Sequence, residues 1–124
     1  MPNASSAAEN AALNGLDGTG STNVIPQVSL HVSTGPGTTG ANENAATGGY
    51  TRQACSWNAA SGGSKTNSSS LTFSTSGTVA VTAFGTNSTS GTSGGTYAIG
   101  GNLTSSVTSA SITIAAGAIT LSAS

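Results

Sequence analysis

The chain of 124 residues contains two Lys or Arg and three Asp or Glu, which gives a formal net charge of −1 at pH 7. So little positive charge excludes a nucleic-acid interface, which needs clustered Lys and Arg, and it disfavours attachment to an anionic membrane. The length suits a single domain, and no apolar run approaches the roughly 20 residues of a membrane-spanning helix.

Residues 1–23 are poor in large side chains and are predicted to form an N-terminal arm ahead of a β domain over residues 24–124. Residues 7–14 are the one segment of the arm with helical composition, because Ala is the best helix former, and Gly15 is a natural stop. Residues 17–21 indicate a loop by composition. We therefore expect a short helix followed by a loop.

Two alternating stretches in the first half of the chain predict strands. Residues 28–33 alternate between apolar and polar side chains, which indicates one buried face and places His31 on the solvent face. Residues 53–57 alternate in the same way, with Cys55 and Trp57 on the apolar face. As the only cysteine, Cys55 cannot form an internal disulfide, and we expect a small buried hydrophobe.

The second half shows further alternation, interrupted by polar segments. Residues 71–74 and 79–82 predict two strands, while Phe84 breaks the parity and predicts a bulge or strand end near Gly85. Residues 86–95 are almost all Asn, Ser, Thr and Gly, which predicts an exposed loop.

Two closing strands, at residues 112–114 and 119–121, are predicted to be joined by a tight turn at Gly117. Six to eight short strands with turns near every ten residues favour a single all-β domain, an antiparallel sandwich or jelly roll. A β-solenoid is less favoured because the large residues have no fixed period, and an unordered linker contradicts the regular alternation. The predicted core residues are Val28, Leu30, Val32, Cys55, Trp57, Leu71, Phe73, Val79, Val81, Phe84, Ile99, Ile112, Ile114, Ile119 and Leu121.

No set of residues suggests catalysis, a metal site or a cofactor site. His31 is the only histidine, and the carboxylates Glu9, Asp17 and Glu43 fall in predicted helix or loop, so a Ser-His-Asp arrangement is not expected. Zinc prefers four Cys or His ligands, and the chain has two such residues. We expect no enzyme. With so few charges, stability is also expected to vary little between about pH 5 and 9.

Four residues are candidates for contact with a partner. Arg52 stands alone on a strand face and is expected to meet a partner carboxylate. Tyr50 precedes it, and Val24 and Ile25 end the predicted arm, which is expected to order on a neighbouring protein. Lys65 is expected to be solvated.

The sequence resembles a family of small tailed-bacteriophage virion proteins, often labelled tail fibre or minor structural proteins. Residues 48–54, Gly-Gly-Tyr-Thr-Arg-Gln-Ala, are similar to the family's Gly-Gly-Tyr-x-Arg-Gln signature. Residues 81–85 resemble its Val-Thr-His-Phe-Gly strand, and residues 111–121 resemble its closing hairpin. The resemblance covers roughly residues 9–122, and it implies a β-sandwich or jelly-roll-like fold, no catalysis and a place on the virion.

Two functions follow from this resemblance and from the small size of the chain. The first is a capsid-exterior decoration or cement protein that binds the major capsid protein, expected as a homotrimer because the thin core suits stabilisation by assembly. The alternative is a tail fibre or tail-tip protein that binds other tail proteins or a host surface glycan, with residues 86–95 as the receptor-binding loop. A glycan site usually presents an exposed aromatic ring, and the aromatic residues are mostly predicted to be core. Either function implies a virion protein made in the host bacterial cytoplasm.

Overall fold

The computed structural model describes residues 5–17 and 23–122. Within them the chain forms one helix and eight strands: α1 (Ser6–Leu16), β1 (Gln27–Val32), β2 (Gln53–Ala54), β3 (Ser64–Thr66), β4 (Leu71–Ser74), β5 (Val81–Asn87), β6 (Tyr97–Val107), β7 (Ser111–Ile114) and β8 (Thr120–Ser122). All paired strands run antiparallel, which confirms the predicted all-β antiparallel domain. Residues 1–4 and 18–22 of the predicted arm lie outside the described residues, and the division at residue 23 stays a prediction.

Helix α1 is longer than the sequence predicts. It begins after Ser5, whose hydroxyl accepts a hydrogen bond from the Ala8 N–H at 3.3 Å, and it passes through Gly15 instead of stopping there. A helical glycine costs about 1 kcal/mol relative to Ala, but Leu13, two residues before Gly15, is buried in the core and holds the helix in place. No helix in the described part of the chain is long and apolar enough to cross a membrane.

Polar contacts attach α1 to strand β3. The ammonium group of Lys65 donates to Asn14 Oδ1 at 2.9 Å and lies 3.5 Å from Asp17 Oδ2. The Gly63 N–H donates to Asn10 Oδ1 at 2.8 Å. Lys65 is buried, so the prediction of a solvated side chain is wrong: its ammonium group reaches the end of the helix, where the carboxylate of Asp17 partly neutralises it.

A four-stranded sheet, in the order β2-β1-β5-β6, forms one layer of the fold. Strand β1 lies inside this sheet, and Ser29 and His31 are both fully buried. The predictions that β1 has one buried face and that His31 faces solvent are therefore wrong. The second face of β1 is covered by the segment around Ala41 and by the ring of Tyr97, whose centroid lies 6.4 Å from that of His31.

Two two-stranded ribbons, β3–β8 and β4–β7, complete the domain. The predicted turn at Gly117 exists, with a φ of +79° and a hydrogen bond from the Ala118 N–H to the Ala115 carbonyl at 3.1 Å. The strands on its two sides do not form the expected hairpin, however, because β7 pairs with β4 and β8 pairs with β3. The turn therefore connects two separate ribbons.

One hydrophobic core joins the sheet, the ribbons and the helix. Its buried members are Leu13, Ile25, Val28, Leu30, Tyr50, Cys55, Trp57, Leu71, Phe73, Val81, Phe84, Ile112, Ile114, Ile119 and Leu121. Among the predicted core residues, Val32 and Ile99 are only partly buried. Val79 is 50% exposed because β5 begins two residues later, so that prediction is wrong.

The sequence predicted a bulge or a strand end near Gly85, and strand β5 has the irregularity of a bulge there and does not end. The strand continues to Asn87, and irregularities in its pairing with β6 lie between Val81 and Ala83 and between Gly85 and Asn87. These irregularities absorb the break in parity at Phe84, whose side chain is buried. The exposed loop between β5 and β6 is correspondingly shorter than predicted.

Candidate functional site

The free edge of β1 organises a cluster of polar residues. Strand β2 pairs only with Gln27 and Val28, which leaves the Leu30 backbone beyond it without a strand partner on that side. The Leu30 N–H donates to the Tyr50 hydroxyl at 3.0 Å, and the Leu30 carbonyl accepts from the Asn44 N–H at 2.8 Å. A tyrosine hydroxyl and a loop amide thus replace the missing strand, which satisfies the buried backbone groups.

The same hydroxyl fixes a buried ion pair. Tyr50 donates to Glu43 Oε2 at 2.8 Å, and Arg52 binds both Glu43 oxygens, through Nη2 to Oε1 at 2.7 Å and through Nε to Oε2 at 2.8 Å. The bond to Glu43 raises the pKa of the Arg52 guanidinium. Burial raises the pKa of Tyr50, so the hydroxyl keeps its proton and remains a donor.

Arg52 also holds the β5–β6 loop, residues 88–96. Its Nη1 donates to the Thr89 carbonyl at 3.0 Å and to the Gly94 carbonyl at 2.9 Å. The Arg52 backbone N–H donates to the Gly91 carbonyl at 2.9 Å. The Thr51 hydroxyl also donates to the Gly91 carbonyl, at 3.1 Å. A loop rich in Ser, Thr and Gly is therefore attached to the body of the domain by Thr51 and Arg52.

The four predicted interface residues are buried or half-buried in the domain. Arg52 is 6% exposed and meets the carboxylate of Glu43 in its own chain, not one from a partner. Tyr50 is buried beside it, so the structure brings these two together. Ile25 is fully buried elsewhere and its carbonyl accepts from Trp57 Nε1 at 2.8 Å, while Val24 is half-buried against the core. The predictions for Arg52, Tyr50 and Ile25 as contact surfaces do not fit their burial.

A chain of buried hydrogen bonds runs beside this ion pair. The Ala41 carbonyl can only accept, so the proton of the neutral His31 ring lies on Nδ1, which donates to it at 2.7 Å. His31 Nε2 then accepts from the Ser29 hydroxyl at 2.7 Å, and Ser29 Oγ accepts from Asn87 Nδ2 at 2.8 Å. Burial is the main cause that lowers the pKa of His31, which keeps the ring neutral.

The pairing of Ser29 with His31 resembles a nucleophile and its base, but its surroundings do not suit catalysis. Ser29 is fully buried, so no substrate reaches its hydroxyl. The orienting group on the far side of the histidine is the carbonyl of Ala41, whereas a catalytic triad uses a carboxylate there. The described residues also contain no group of three or more His, Cys, Asp and Glu side chains placed to hold a metal ion.

A cavity of about 340 Å³ opens above these two networks, and we call it the polar cleft. It lies between residues 39–43 and the tip of the β5–β6 loop, and it is lined by Thr39, Gly40, Glu43, Arg52, Asn87, Thr92, Ser93, Gly94, Gly95 and Tyr97. The loop tip at residues 92–95 is exposed, as the composition predicted, but Asn87 is 4% exposed and belongs to β5.

Tyr97 forms a side wall of the polar cleft. Its ring is half-buried, and its hydroxyl donates to the Gly37 carbonyl at 3.2 Å. Gly40 packs directly on it, because a Cβ at Gly40 would lie 2.8 Å from Tyr97 Cβ. Tyr97 also lines a second cavity of about 230 Å³ beside Pro36 and Asn102. One aromatic residue thus lines two cavities.

Gly85 is a residue in the sequence that could have indicated this site, although the alternation of apolar and polar residues does not reveal it. A Cβ at Gly85 would lie 2.7 Å from His31 Nε2 and 3.0 Å from Ser29 Oγ. A glycine in the middle of a strand often marks a close approach of other groups, and here the approaching groups are the buried hydrogen-bond chain. No such local signal identifies Glu43 or Asn87.

Two further features of the domain lie outside the polar cleft. An apolar groove of about 260 Å³ runs between β6 and β7, and Leu103, Val107 and Ile112 are among its lining residues. Cys55 is buried, and burial together with the charge of Asp17 raises the pKa of its thiol to about 12, as suits an unreactive core residue.

Comparison with known proteins gives one match. A family model described as podophage GP4 fiber I protein gp80 matches residues 3–122, nearly the whole chain. Neither the curated proteins nor the solved structures contain a match.

Proposed function

The chain belongs to the family of the podophage GP4 fiber I protein gp80, and from this premise we propose that it is a building block of a phage tail fibre. It is a structural protein of a bacteriophage virion. The observation that carries the finer proposal is the extent of the family match, which includes α1, both layers of strands and the polar cleft.

Capsid decoration, the function that the sequence favoured, has weaker support. That expectation rested on the small size of the chain, and a small β domain serves equally well as one module of a fibre. The description of the family supports the fibre. A fibre subunit also needs no reaction chemistry, in keeping with the inaccessible hydroxyl of Ser29.

We further propose that three copies of the chain associate, with the apolar groove between β6 and β7 in the contact. No charged side chain lines this groove, so identical copies meet there without like-charge repulsion. Light scattering should give three times the mass of one chain, and Leu103→Asp should lower that mass. Val79→Asp, at an exposed site outside the groove, is the matched control and should leave it unchanged. A monomeric wild type would contradict the association.

The position in the virion can be measured directly. Purified virions are separated into heads and tails, and the protein is quantified in each fraction by mass spectrometry, with the major capsid protein as the marker for heads. A small copy number confined to tails is the expected result. Abundance in heads, in simple proportion to the major capsid protein, would overturn the fibre proposal in favour of decoration.

A further inference from the structure

We propose that the polar cleft binds a neutral sugar unit of a host surface glycan, recognised by the Asn87 side-chain carbonyl, the Arg52 guanidinium and the ring of Tyr97. The assignment to a host glycan rests on the proposed fibre function, whereas the assignment to a neutral sugar rests on the cleft alone. The cavity of about 340 Å³ is within the range of about 300–1,000 Å³ that is typical of small-molecule sites.

Asn87 supplies an acceptor that has no partner among the described residues. The Ser29 hydroxyl gives its proton to His31, so Ser29 Oγ can only accept, and the Asn87 group that faces it must be the amide nitrogen. The side-chain oxygen Oδ1 of Asn87 accepts no hydrogen bond from the described residues. Because none of the fully buried side-chain polar atoms there lacks a partner, Oδ1 must be reached from solvent. The polar cleft is the opening that Asn87 lines.

Arg52 supplies a donor to the lining of the same cleft. A guanidinium carries five N–H groups. One on Nε and one on Nη2 bind Glu43, and the two on Nη1 bind the Thr89 and Gly94 carbonyls. The second N–H of Nη2 binds no acceptor among the described residues. A hydroxyl group both donates and accepts, so a vicinal pair of sugar hydroxyls suits an acceptor and a donor that line one cleft.

The charge balance selects a neutral ligand. Glu43 binds Arg52 through both carboxylate oxygens, so the floor of the cleft has no net charge with which to attract a phosphate or a sialic acid. The rim adds the uncharged hydroxyls of Thr39, Thr92 and Ser93. Tyr97 adds a half-buried aromatic residue to the lining, a residue type on which the C–H groups of a sugar ring can pack.

The site is also held in position before any ligand arrives. Arg52 attaches the loop tip through Gly94. Two hydrogen bonds between Ser88 and Thr96 close the base of the loop. The Thr96 N–H donates to Ser88 Oγ at 2.8 Å, and the Ser88 N–H donates to the Thr96 carbonyl at 3.1 Å. A loop fixed in its binding conformation loses less entropy on binding, which favours affinity for a small polar ligand.

Saturation-transfer NMR on the full chain tests the sugar assignment. The probes are free neutral hexoses, 6-deoxyhexoses and N-acetylhexosamines at millimolar concentration, with glucuronic acid and inorganic phosphate as charged contrasts. We expect transfer to at least one neutral sugar and none to the charged probes. Absence of transfer to every neutral probe, or transfer only to a charged one, would overturn the proposal, whatever the location of the protein in the virion.

Variants then locate the binding. Asn87→Leu should weaken the affinity at least tenfold, and the double variant Thr92→Ala/Ser93→Ala, on the exposed rim, should weaken it several-fold at unchanged melting temperature. Ser90→Ala, in the same loop but outside the cleft, is the matched control and should bind normally. Binding that survives the rim variant undiminished would place the sugar elsewhere.

Adsorption of virions to host cells tests the source of the sugar. An excess of the sugar that binds should reduce adsorption, whereas a sugar that does not bind should leave it unchanged. Unaltered adsorption despite binding in solution would overturn the assignment to a host glycan. Tail location in the fractionation experiment is measured independently, so failure of the glycan proposal and failure of the fibre proposal remain distinguishable.

Discussion

Arg52 and Glu43 form a bidentate ion pair inside the domain, with 2.7 Å between Nη2 and Oε1 and 2.8 Å between Nε and Oε2. The side chains are 3% and 14% exposed. Removing one partner from such a pair leaves the other charge buried, at a cost of about 3–5 kcal/mol. Glu43→Ala should therefore lower the free energy of unfolding by about 3 kcal/mol in urea titrations.

Glu9→Ala is the matched control for this prediction. Glu9 is a carboxylate without an ion pair among the described residues, and it lies in the first turn of α1. Its favourable interaction with the helix dipole is worth about 1 kcal/mol or less. If Glu43→Ala costs no more than Glu9→Ala, the ion pair does not hold the β5–β6 loop as described.

Two glycine substitutions should have opposite effects. Gly85→Ala places a Cβ 2.7 Å from His31 Nε2, in a hydrogen-bond chain that cannot move aside, and overpacking of this kind costs about 1–3 kcal/mol. At Gly15 a Cβ meets nothing within 4 Å, so Gly15→Ala should stabilise α1 by up to about 1 kcal/mol. Thermal unfolding of both variants checks the two predictions, and equal shifts in melting temperature would contradict them.

The pattern of alternation predicted those features of the fold that depend on local geometry. Leu71 and Phe73 face the core, as do Ile112 and Ile114, because side chains in any strand change faces at every residue. The same rule placed His31 on the solvent side, since it cannot tell whether the second face of a strand is covered. That depends on Tyr97, which lies far along the chain and packs over His31.

The candidate site was less predictable than the strands. Composition identified the exposed loop tip and Arg52 as a notable residue, but the partner of Arg52 is Glu43 in a segment that indicated only a loop. Asn87 had the same composition signal as its exposed neighbours, and its burial follows from the pairing of β5 with β1 and β6. Contacts between distant segments decide these positions, and local periodicity carries no information about them.

The burial of His31 changes the expected response to pH. Its pKa is lowered from 6.5, chiefly by burial; the Ala41 carbonyl and Glu43 oppose this effect, and Arg52 adds the smallest contribution, which lowers the pKa. The unfolded chain therefore takes up the proton first, and stability falls as the pH drops through about 6.5 towards the lower folded-state pKa. The loss is about 1.4 kcal/mol for each unit between the two values.

Melting temperatures of the wild type between pH 8 and 5 check this prediction, which replaces the weak dependence expected from composition. His31→Gln, which does not titrate in this range, is the control and should show a flatter profile even if it melts at a lower temperature. A wild-type profile as flat as that of the variant would contradict the buried neutral ring.

Asn67 should be among the most sensitive positions in the chain. Its side chain is fully buried, donates to the Ser69 and Ala115 carbonyls at 2.8 and 3.0 Å, and accepts from the Ile119 N–H at 2.9 Å. Asn67→Ala leaves the buried Ile119 N–H without its acceptor and removes the donors to the Ser69 and Ala115 carbonyls, of which Ala115 keeps the hydrogen bond from the Ala118 N–H. The loss should be about 1–3 kcal/mol, the cost of one buried unsatisfied group.

The control for Asn67 is Asn58→Ala, because Asn58 is exposed and its side chain makes one hydrogen bond, to Thr66 at 3.1 Å. We expect a loss of less than about 1 kcal/mol there. Hydrogen exchange adds a local measurement: the Ile119 amide should lose protection in Asn67→Ala more than the amides of β1 do. Uniform loss across both elements would mean that Asn67 supports the whole domain and not specifically the turn between the two ribbons.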